Sequence, residues 1–427
     1  MKKIASIIAS LLICVSLFAK KDEIIKTGWN FGPLPVVGFD SDLGFQYGLC
    51  CDIFNFGDGS SYPEYKFKIN VEASTYTKGS SVLRTYGDFK NVIPKGKLFF
   101  DITYFNSPKF GFYGYNGYAT TFNPDSMRID NVPTGNDKPG FYYMSRNQFR
   151  ALVSARRTIV GNLSAAIGFA YYHITTSSLN LKDYKGQGTL YGDYVSNYLI
   201  YPTEKDGGNV TQFRAGLIYD SRNHDSDPTS GLNIEASVEF APDMIDRKGY
   251  NNLGLHLSAC QYIPLYHEKL TLAYRALIQT KLWGEIPFYF TNNINSMFFR
   301  KMYTEGLGGN ASVRGLNRNG VLADGFGMLN VELRWRIYDF KFINQNWQIA
   351  TNPFFDAGTI LQPYRIETQK RHDGFYAGDE FRPHFTAGLG FKLVMNHNMV
   401  VSFEAAKPFD KNDGTGLWTN IGFNYLF

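Results

Sequence analysis

The feature of the sequence that most constrains the fold is a regular alternation of apolar and polar residues along most of the chain. Residues 231–241 read GLNIEASVEFA, where Leu, Ile, Ala, Val and Phe occupy alternate positions and asparagine, serine and glutamate lie between them. Residues 65–73, 330–337 and 385–393 repeat the pattern. Because side chains alternate between the two faces of a strand, this period of two predicts β-strands with one apolar and one polar face.

The length of these segments favours a membrane barrel over a soluble β-sandwich. A sandwich also alternates, with its apolar side chains inward, but its strands are usually about 5–6 residues long. Many segments here run for about ten to fourteen residues, and a strand needs about 9–11 residues to cross a bilayer. Only a closed barrel satisfies every backbone group in lipid. We therefore predict an all-β, antiparallel transmembrane barrel whose apolar face meets outer-membrane lipid and whose polar face lines the lumen.

We predict sixteen strands, with connections sorted by length. The predicted strands are residues 35–40, 44–55, 65–77, 82–92, 97–106, 146–158, 162–175, 210–220, 231–241, 250–262, 269–282, 327–338, 347–358, 384–395, 399–406 and 417–427. Four long connections, at 107–145, 176–209, 283–326 and 359–383, fall on one side of the barrel if the chain starts and ends in the periplasm. Long extracellular loops and short periplasmic turns are typical of outer-membrane barrels, so the loops support the strand count.

The N-terminal residues indicate export. The chain begins MKKIASIIASLLICVSLFA, in which two lysines precede an apolar stretch that ends in a small residue, as in a secretory signal peptide. We predict a signal peptide over 1–19, a short periplasmic segment over 20–34 and the barrel over 35–427. Export and a barrel together predict the outer membrane of a Gram-negative-type bacterium.

Charge and residue spacing argue against several other classes of function. The formal net charge of +5 is too small to indicate a nucleic-acid partner. The histidines and cysteines have no metal-binding spacing, so we predict neither a metal nor a cofactor. Asp220, Ser221 and His224 contain the residue types of a hydrolase triad, but residues so close along one turn seldom converge. We therefore predict no enzymatic activity.

Three stretches in the C-terminal half carry distinctive motifs. Residues 220–231 read DSRNHDSDPTSG, residues 308–320 read GGNASVRGLNRNG, and residues 353–358 read PFFDAG. In this order they resemble the bacterial surface antigen family, the barrel of the BamA/TamA outer-membrane assembly-factor superfamily. The first resembles the family's turn motif, with Asn223 in place of its second acid. The matching positions of that turn are Asp220, Arg222, Pro228 and Gly231.

The resemblance implies a sixteen-stranded barrel whose sixth extracellular loop folds back into the lumen. The residues that this likeness assigns to the loop and its strand motif are Val313, Arg314, Gly315, Asp356 and Gly358. It also implies a role in protein insertion or export, or in lipid handling. Assembly factors carry periplasmic POTRA domains, whereas only about fifteen residues lie between the predicted signal peptide and the first predicted strand. A separate periplasmic or surface protein could replace those domains, and a plugged pore or a structural barrel is the alternative function.

The alternation within residues 347–358 predicts the direction of Asp356. It shares a face with Gln348 and Asn352, the more polar face, and should therefore point into the lumen. An arginine and an aspartate buried there would be tolerated as a hydrogen-bonded pair. Glu332, on the lumenal face of the preceding strand, is a second possible acceptor for Arg314. In the alternative, Arg314 is solvated in an outer loop and Asp356 meets lumenal water.

The two ends of the barrel sequence predict a C-terminal signal and a weak seam. The chain ends GLWTNIGFNYLF, with Phe423, Tyr425 and Phe427 at alternate positions. This resembles the C-terminal signal by which outer-membrane barrels are recognised for insertion, although a last amphipathic strand would read the same way. Pro33, Pro35 and Gly38 cannot form a complete ladder, so a weak seam between the first and last strands is expected.

Overall fold

A computed structural model of the chain describes residues 25–427, apart from 63, 91, 118–121, 124–125, 127–139, 180–187, 295–305, 373, 376–381, 398, 415 and 424. Sixteen strands make up most of it. They are β1 (Trp29–Asp40), β2 (Gly44–Asn55), β3 (Phe67–Tyr76), β4 (Ser81–Lys90), β5 (Gly96–Gly111), β6 (Tyr143–Val160), β7 (Leu163–Ser178), β8 (Gly207–Asp220), β9 (Gly231–Ala241), β10 (Asn252–Tyr266), β11 (Leu270–Gly284), β12 (Gly325–Phe342), β13 (Gln345–Gln362), β14 (His384–Met395), β15 (Met399–Pro408) and β16 (Trp418–Phe423).

The strands form a closed antiparallel barrel. Each strand pairs with its neighbours in the sequence, and β1 pairs with β16 to close the ring. The predicted fold class and strand number are therefore confirmed. Closure pairs the backbone groups of neighbouring strands, which is the reason that a membrane admits this form of sheet, although β1 and β16 pair only at their outer ends.

Several predicted boundaries differ from the structure. β1 begins at Trp29, so residues 29–34, predicted as part of a periplasmic segment, belong to the barrel wall. The prolines in this strand concealed it, since proline is tolerated on a strand edge but lowers the strand propensity of a sequence. β16 ends at Phe423 rather than at 427. The predicted signal peptide, 1–19, lies outside the described residues.

Helical structure is confined to the loops. The described helical segments are Leu190–Ser196, Ile366–Gln369 and the 3-10 turn Phe288–Phe290. Thr189 caps the first of these, where its hydroxyl accepts a hydrogen bond from the Gly192 amide at 3.1 Å. None of these described segments has the length and apolar composition needed for a membrane-crossing helix.

The alternation in the sequence corresponds to the two faces of the wall. Outward side chains are apolar and exposed, such as Leu389 at 58% and Trp335 at 52% of their accessible surface. Inward side chains are polar and buried, and both Asp356 and Lys392 are fully covered. The inward residues are therefore shielded by material inside the barrel rather than by the wall alone.

Loop lengths differ between the two ends of the barrel. Connections 112–142, 179–206, 285–324 and 363–383 lie at one end, which we call the outer end because long loops face outward in outer-membrane barrels. Most connections at the opposite, periplasmic end are short turns. The exceptions are residues 56–66 and 221–230. The observed sorting agrees with the predicted one.

Aromatic side chains from the four long loops pack together at the outer end. The Phe112 ring lies edge-on to that of Tyr194, with 5.1 Å between centroids, and the Tyr115 and Tyr364 centroids are 4.5 Å apart. Phe288 joins the same buried cluster. We call these five residues the aromatic cap. Edge-to-face packing adds to the free energy gained by burying large apolar rings, so the described parts of these loops pack together as a layer.

A charge on the lipid face should destabilise the barrel. Leu389 lies near the middle of β14 and faces outward, so Leu389→Arg should cost about 2–4 kcal/mol and reduce the yield of assembled barrel in heat-modifiability gels. The matched control is Asn70→Lys on the lumenal face of β3, where the Asn70 amide donates to the Asp52 carboxylate at 2.8 Å. Equal losses for the two variants would contradict the assignment of the faces.

Candidate functional site

The second half of the connection between β11 and β12 folds into a compact unit against the inner wall. We call its residues 306–324 the inward loop. Leu307 and Val321 exchange backbone hydrogen bonds of 3.1 Å across it. Gly308 has φ +119°, and a Cβ atom there would lie 2.0 Å from the Asn317 carbonyl oxygen. Only glycine fits such a reversal, which accounts for the first glycines of GGNASVRG.

Arg314 is the centre of the contacts between the inward loop and the wall. Its Nε and Nη2 donate to the two carboxylate oxygens of Asp356 at 2.8 and 2.9 Å, and its backbone amide donates to Oδ2 at 3.0 Å. Its Nη1 donates to Glu332 at 2.7 Å and to Glu404 at 2.8 Å. The predicted contacts with Asp356 and Glu332 are therefore present. A fork of donors that engages carboxylates on β12, β13 and β15 is a geometry that arginine provides and lysine does not.

The PFFDAG segment of β13 contributes three inward positions, each with a different contact. The Phe354 ring centroid lies 3.5 Å from the Arg314 guanidinium, as in a cation–π contact. Asp356 supplies the carboxylate. At Gly358 a Cβ atom would lie 2.9 Å from the Val313 side chain, so the missing side chain leaves room for the loop. These spacings explain why the motif alternates an aromatic residue, an acid and a glycine.

The buried charges around Arg314 balance one another. The network contains three cations and three carboxylates: Arg314, Arg334, Lys392, Asp356, Glu332 and Glu404. Arg334 Nε donates to Glu332 at 2.8 Å, and Lys392 Nζ donates to Glu404 at 2.7 Å. Buried ions are tolerated where they are paired and hydrogen-bonded, so loss of one member leaves its partners uncompensated.

The inward loop also contacts both strands that close the barrel. The Arg318 guanidinium pairs with the Asp40 carboxylate at the end of β1, and its backbone amide donates to Asp42 at 3.0 Å. Asn310 lies 3.3 Å from the side-chain oxygen of Asn420 in β16. Burial, together with the neighbouring Asp40 charge, raises the pKa of Asp42 to about 6. One loop thus links β1 and β16 at their outer ends.

Gly315 provides a second tight position in the same loop. Its φ is +103°, in the left-handed region, and a Cβ atom would lie 3.2 Å from side-chain atoms of Ala406 and Thr386. The residue that follows Arg314 must therefore turn sharply while it packs against β14 and β15. The Val-Arg-Gly sequence predicted as the loop anchor thus combines a packing residue, a charged fork and a turn.

The DSRNHDSDPTSG motif forms a well-ordered turn at the periplasmic end. Arg222 makes a two-point contact with Asp220 at 2.8 and 2.9 Å. The Asn223 side chain accepts from the Thr229 amide at 3.0 Å and donates to the Thr229 hydroxyl at 2.7 Å. The side-chain amide of Asn223 thus both donates and accepts a hydrogen bond, which an ionised carboxylate could not do. Gly231 has φ +102°, and a Cβ atom there would lie 2.2 Å from the Ser221 carbonyl oxygen.

Acidic residues of this turn reach opposite parts of the wall. Pro228 and Asp227 are buried. Asp227 accepts from Arg336 in β12 at 2.7 Å. Asp225 lies 3.0 Å from Lys90 in β4 and 3.1 Å from Lys97 in β5. Burial alone would raise the pKa of Asp225, but Lys97 and Lys90 hold that pKa well below its usual range.

The residue types of a hydrolase triad in this turn are engaged separately. The Ser221 hydroxyl accepts a hydrogen bond from the Leu232 amide at 3.0 Å. The His224 ring stacks on His397, with 5.3 Å between centroids. The Asp220 carboxylate forms a salt bridge with Arg222. The described geometry therefore gives each of these side chains a role in the turn.

The C-terminal residues do not continue β16. Tyr425, Leu426 and Phe427 are buried inside the barrel. Arg334 Nη2 donates to the Phe427 main-chain oxygen at 2.8 Å, and the Arg334 guanidinium lies 4.1 Å from the centroid of the Tyr425 ring. The prediction of one strand over 417–427, with Phe423, Tyr425 and Phe427 on one face, is therefore wrong beyond Phe423. Arg334 contacts the aromatic rings and the main-chain oxygen of Phe427 in the lumen, and the alternation of residues along β16 contains no signal for these contacts.

Two partners of Arg314 were not identified from the sequence. Phe354 lies two residues before Asp356 on the same strand face, so the alternation within PFFDAG contained the signal. Glu404 belongs to β15 and reaches Arg314 because the barrel curves around the loop. No local pattern specifies that approach.

Removal of either member of the Arg314–Asp356 pair should destabilise the barrel strongly. We expect Arg314→Ala and Asp356→Ala each to cost about 3–5 kcal/mol, because each leaves buried charges uncompensated. The double variant should cost less than the sum. The measurement is the free energy of unfolding in detergent, with unfolding monitored by heat modifiability in gels.

The matched control is the exposed pair between Arg382 and Asp410, which lie 2.6 Å apart with almost half of each side chain accessible. Arg382→Ala should cost about 0–1 kcal/mol. Small, additive effects of the Arg314 and Asp356 substitutions, comparable to this control, would contradict a buried anchor.

Comparisons with known proteins agree with this architecture. Residues 66–425 match the model of the Omp85 superfamily domain. BamA from Haemophilus ducreyi lacking POTRA domains 1-3 superposes with a TM-score of 0.54 at 16% sequence identity, over 94% of this chain and 71% of that chain. CdiB from Escherichia coli gives 0.53 at 10% identity, over 94% of this chain and 64% of that one. A comparison with curated proteins finds no match.

The structural likeness establishes the barrel fold, and the family match extends over most of the chain. It includes the turn motif, the inward loop and the β13 motif. These are the three stretches on which the resemblance in the sequence rests. The chain therefore belongs to the Omp85 superfamily of outer-membrane β-barrels.

Proposed function

We propose that this barrel acts in protein insertion or export, or in lipid handling, at the outer membrane, through transient separation of β1 from β16. We call the contact between these strands the seam. The observation that carries the proposal is the shortness of its ladder. β1 pairs with β2 along all twelve of its residues, but with β16 only at Phe39↔Ile421 and Asp40↔Asn420. Because so few backbone hydrogen bonds hold it, the seam is the part of the wall that separates most easily.

Local geometry adds to this weakness. β16 has only six residues, and the last residues of the chain turn into the lumen instead of extending the wall. At Gly38 a Cβ atom would lie 2.8 Å from the Ile421 carbonyl oxygen, so the closed seam depends on a glycine at this position. The inward loop supplements the ladder through Asp40 and Asn420. Closure is thus a balance between a short ladder and a few side-chain contacts.

The contents of the lumen favour a path through the wall over a path along the barrel axis. The aromatic cap packs at the outer end, the inward loop and its charges occupy the interior, and Tyr425 and Phe427 lie beside Arg334 and Tyr262. The alternative function is a plugged pore or a structural barrel that scaffolds a separate periplasmic or surface partner. Planar-bilayer conductance and a pull-down in mild detergent distinguish these ideas, since a large steady conductance without a partner supports the pore.

We propose a non-enzymatic role. The carboxylates of Asp356, Glu332 and Glu404 are paired with cations in the network that holds the loop, and the serine and histidine of the turn have separate structural contacts. A periplasmic or surface protein could supply recognition of a client. The H. ducreyi BamA structure lacks POTRA domains 1-3, and the association of such domains with a similar barrel motivates the search for a partner.

A covalent lock across the seam tests lateral opening. In a background where Cys50, Cys51 and Cys260 are replaced by alanine, Phe39→Cys and Ile421→Cys place two thiols directly opposite each other. We expect oxidation to abolish function and reduction to restore it. The measurements are the level of assembled outer-membrane proteins and the permeability of the membrane to a large antibiotic, in cells with this barrel as their only copy.

The control lock joins Leu272 in β11 to Leu333 in β12, which are opposite each other in a continuous ladder. A disulfide there should leave function unchanged, because that part of the wall does not need to open. Full function of the oxidised Phe39–Ile421 variant would exclude lateral opening as the mechanism.

A further inference from the structure

The backbone groups of β1 alternate between the β2 side and the seam side. The Gly28 carbonyl accepts from the Phe56 amide at 2.9 Å, so even-numbered residues direct their backbone groups toward β2. The Ser41 amide donates to the Thr419 carbonyl oxygen at 3.2 Å, so odd-numbered residues direct theirs toward β16. The constant register between β1 and β2 carries this alternation along the whole strand.

Two prolines lie on the seam side of β1. The odd-numbered positions with no β16 partner among the described residues are Trp29, Phe31, Pro33, Pro35 and Val37. Pro33 and Pro35 are consecutive along this edge and provide no N–H donor. A strand added to this edge would find no N–H donor at two consecutive hydrogen-bonding positions in the middle of the edge. Prolines so placed on an edge act against strand addition.

β1 is also apolar on both of its faces beside the opening. Residues 31–38 read FGPLPVVG and contain no polar or charged side chain. Phe31 and Val37 are exposed on the outward face, and Val36 is buried on the inward face, which it shares with Leu34. The inward face of β3 is different, since it carries a lysine, an asparagine and a glutamate at positions 68, 70 and 72. Beside the seam, the inward face of β1 is therefore apolar, as its lipid-facing side is.

The free edge of β1 extends across much of the hydrocarbon core of the membrane. Ten residues, Trp29 to Gly38, lie between the start of β1 and its first pair with β16. At about 3.3 Å per residue they extend for about 33 Å along the strand, which a tilt of about 45° reduces to about 23 Å across a hydrocarbon core about 30 Å thick. An acyl chain needs no backbone hydrogen bonds, and apolar surface is what it contacts favourably.

We propose that the free edge of β1 admits the acyl chain of a membrane lipid, against the partly accessible Leu34, and excludes an added β-strand. The proposal rests on the proposed opening of the seam and specifies its substrate class. It predicts that the lipid-handling branch of the proposed function is the one that this barrel performs. Pairing of a client strand with β1 is the competing outcome.

A photoreactive side chain tests the lipid contact. Benzoylphenylalanine replaces Leu34 in the full chain, which is reconstituted into vesicles of phosphatidylethanolamine and phosphatidylglycerol that contain a fluorescent acyl chain. We expect a covalent lipid adduct on irradiation. The same label at Asn70, on the inward face of β3, is the control and should give none above background. No adduct at position 34, in a barrel that retains heat modifiability, would overturn the lipid assignment.

A synthetic strand tests the exclusion of β-structure. The probe is a fluorescent peptide with the sequence of residues 416–427, which includes the natural neighbour of β1. The wild-type barrel should not bind it, and the Pro33→Val/Pro35→Val variant, which regains two donors, should. Binding by the wild-type barrel would overturn the exclusion. So would failure of the variant to bind while it remains folded.

These outcomes are separable from those of the lock across Phe39 and Ile421. If the lock abolishes function but Leu34 gives no lipid adduct, lateral opening stands and the substrate class proposed here is wrong. If the adduct forms but the locked barrel is fully active, the edge contacts lipid and lateral opening is not the mechanism.

Discussion

The buried ion network around Arg314 is the interaction on which the rest of the interior depends. Its side chain joins a loop to carboxylates on three strands, and the nearby cations leave the network neutral. Such a network contributes more to the position of the loop than to net stability, because desolvation of the ions offsets much of their attraction. The geometry of the loop follows from it: Val313 must fit the space at Gly358, and Gly315 must turn between β14 and β15.

The same loop explains how a barrel with a short closing ladder can remain closed. Two pairs join β1 and β16, and the loop adds Arg318 on Asp40 and Asn310 beside Asn420. A loop anchored on β12, β13 and β15 thus holds strands that the backbone alone joins weakly. Opening of the seam then requires only local rearrangement near the outer end, while the other fifteen strand pairs, each with a longer ladder, stay intact.

Much of this arrangement could be predicted from the sequence, because the relevant signals are local. The alternation indicated the strands and their faces, and within PFFDAG it predicted that Asp356 points inward. The resemblance of the Val-Arg-Gly stretch to the family's loop then identified Arg314 as the partner of Asp356. The contact of Arg318 with Asp40 joins residues far apart in the chain and exists only once the ring has closed. The early start of β1 was concealed by its prolines, and the inward turn after Phe423 depends on Arg334, which lies on another strand.

We infer that the loop anchored by Arg314 holds the seam together. Amide hydrogen exchange in wild type, Arg314→Ala and the Arg382→Ala control tests it directly, with residues 418–423 of β16 compared with residues 231–241 of β9. We expect faster exchange in β16 of the Arg314 variant, with β9 unchanged and the control like wild type. Unchanged exchange in β16, together with faster exchange in residues 306–324, would mean that the loop is released without any effect on the seam, and would contradict the account.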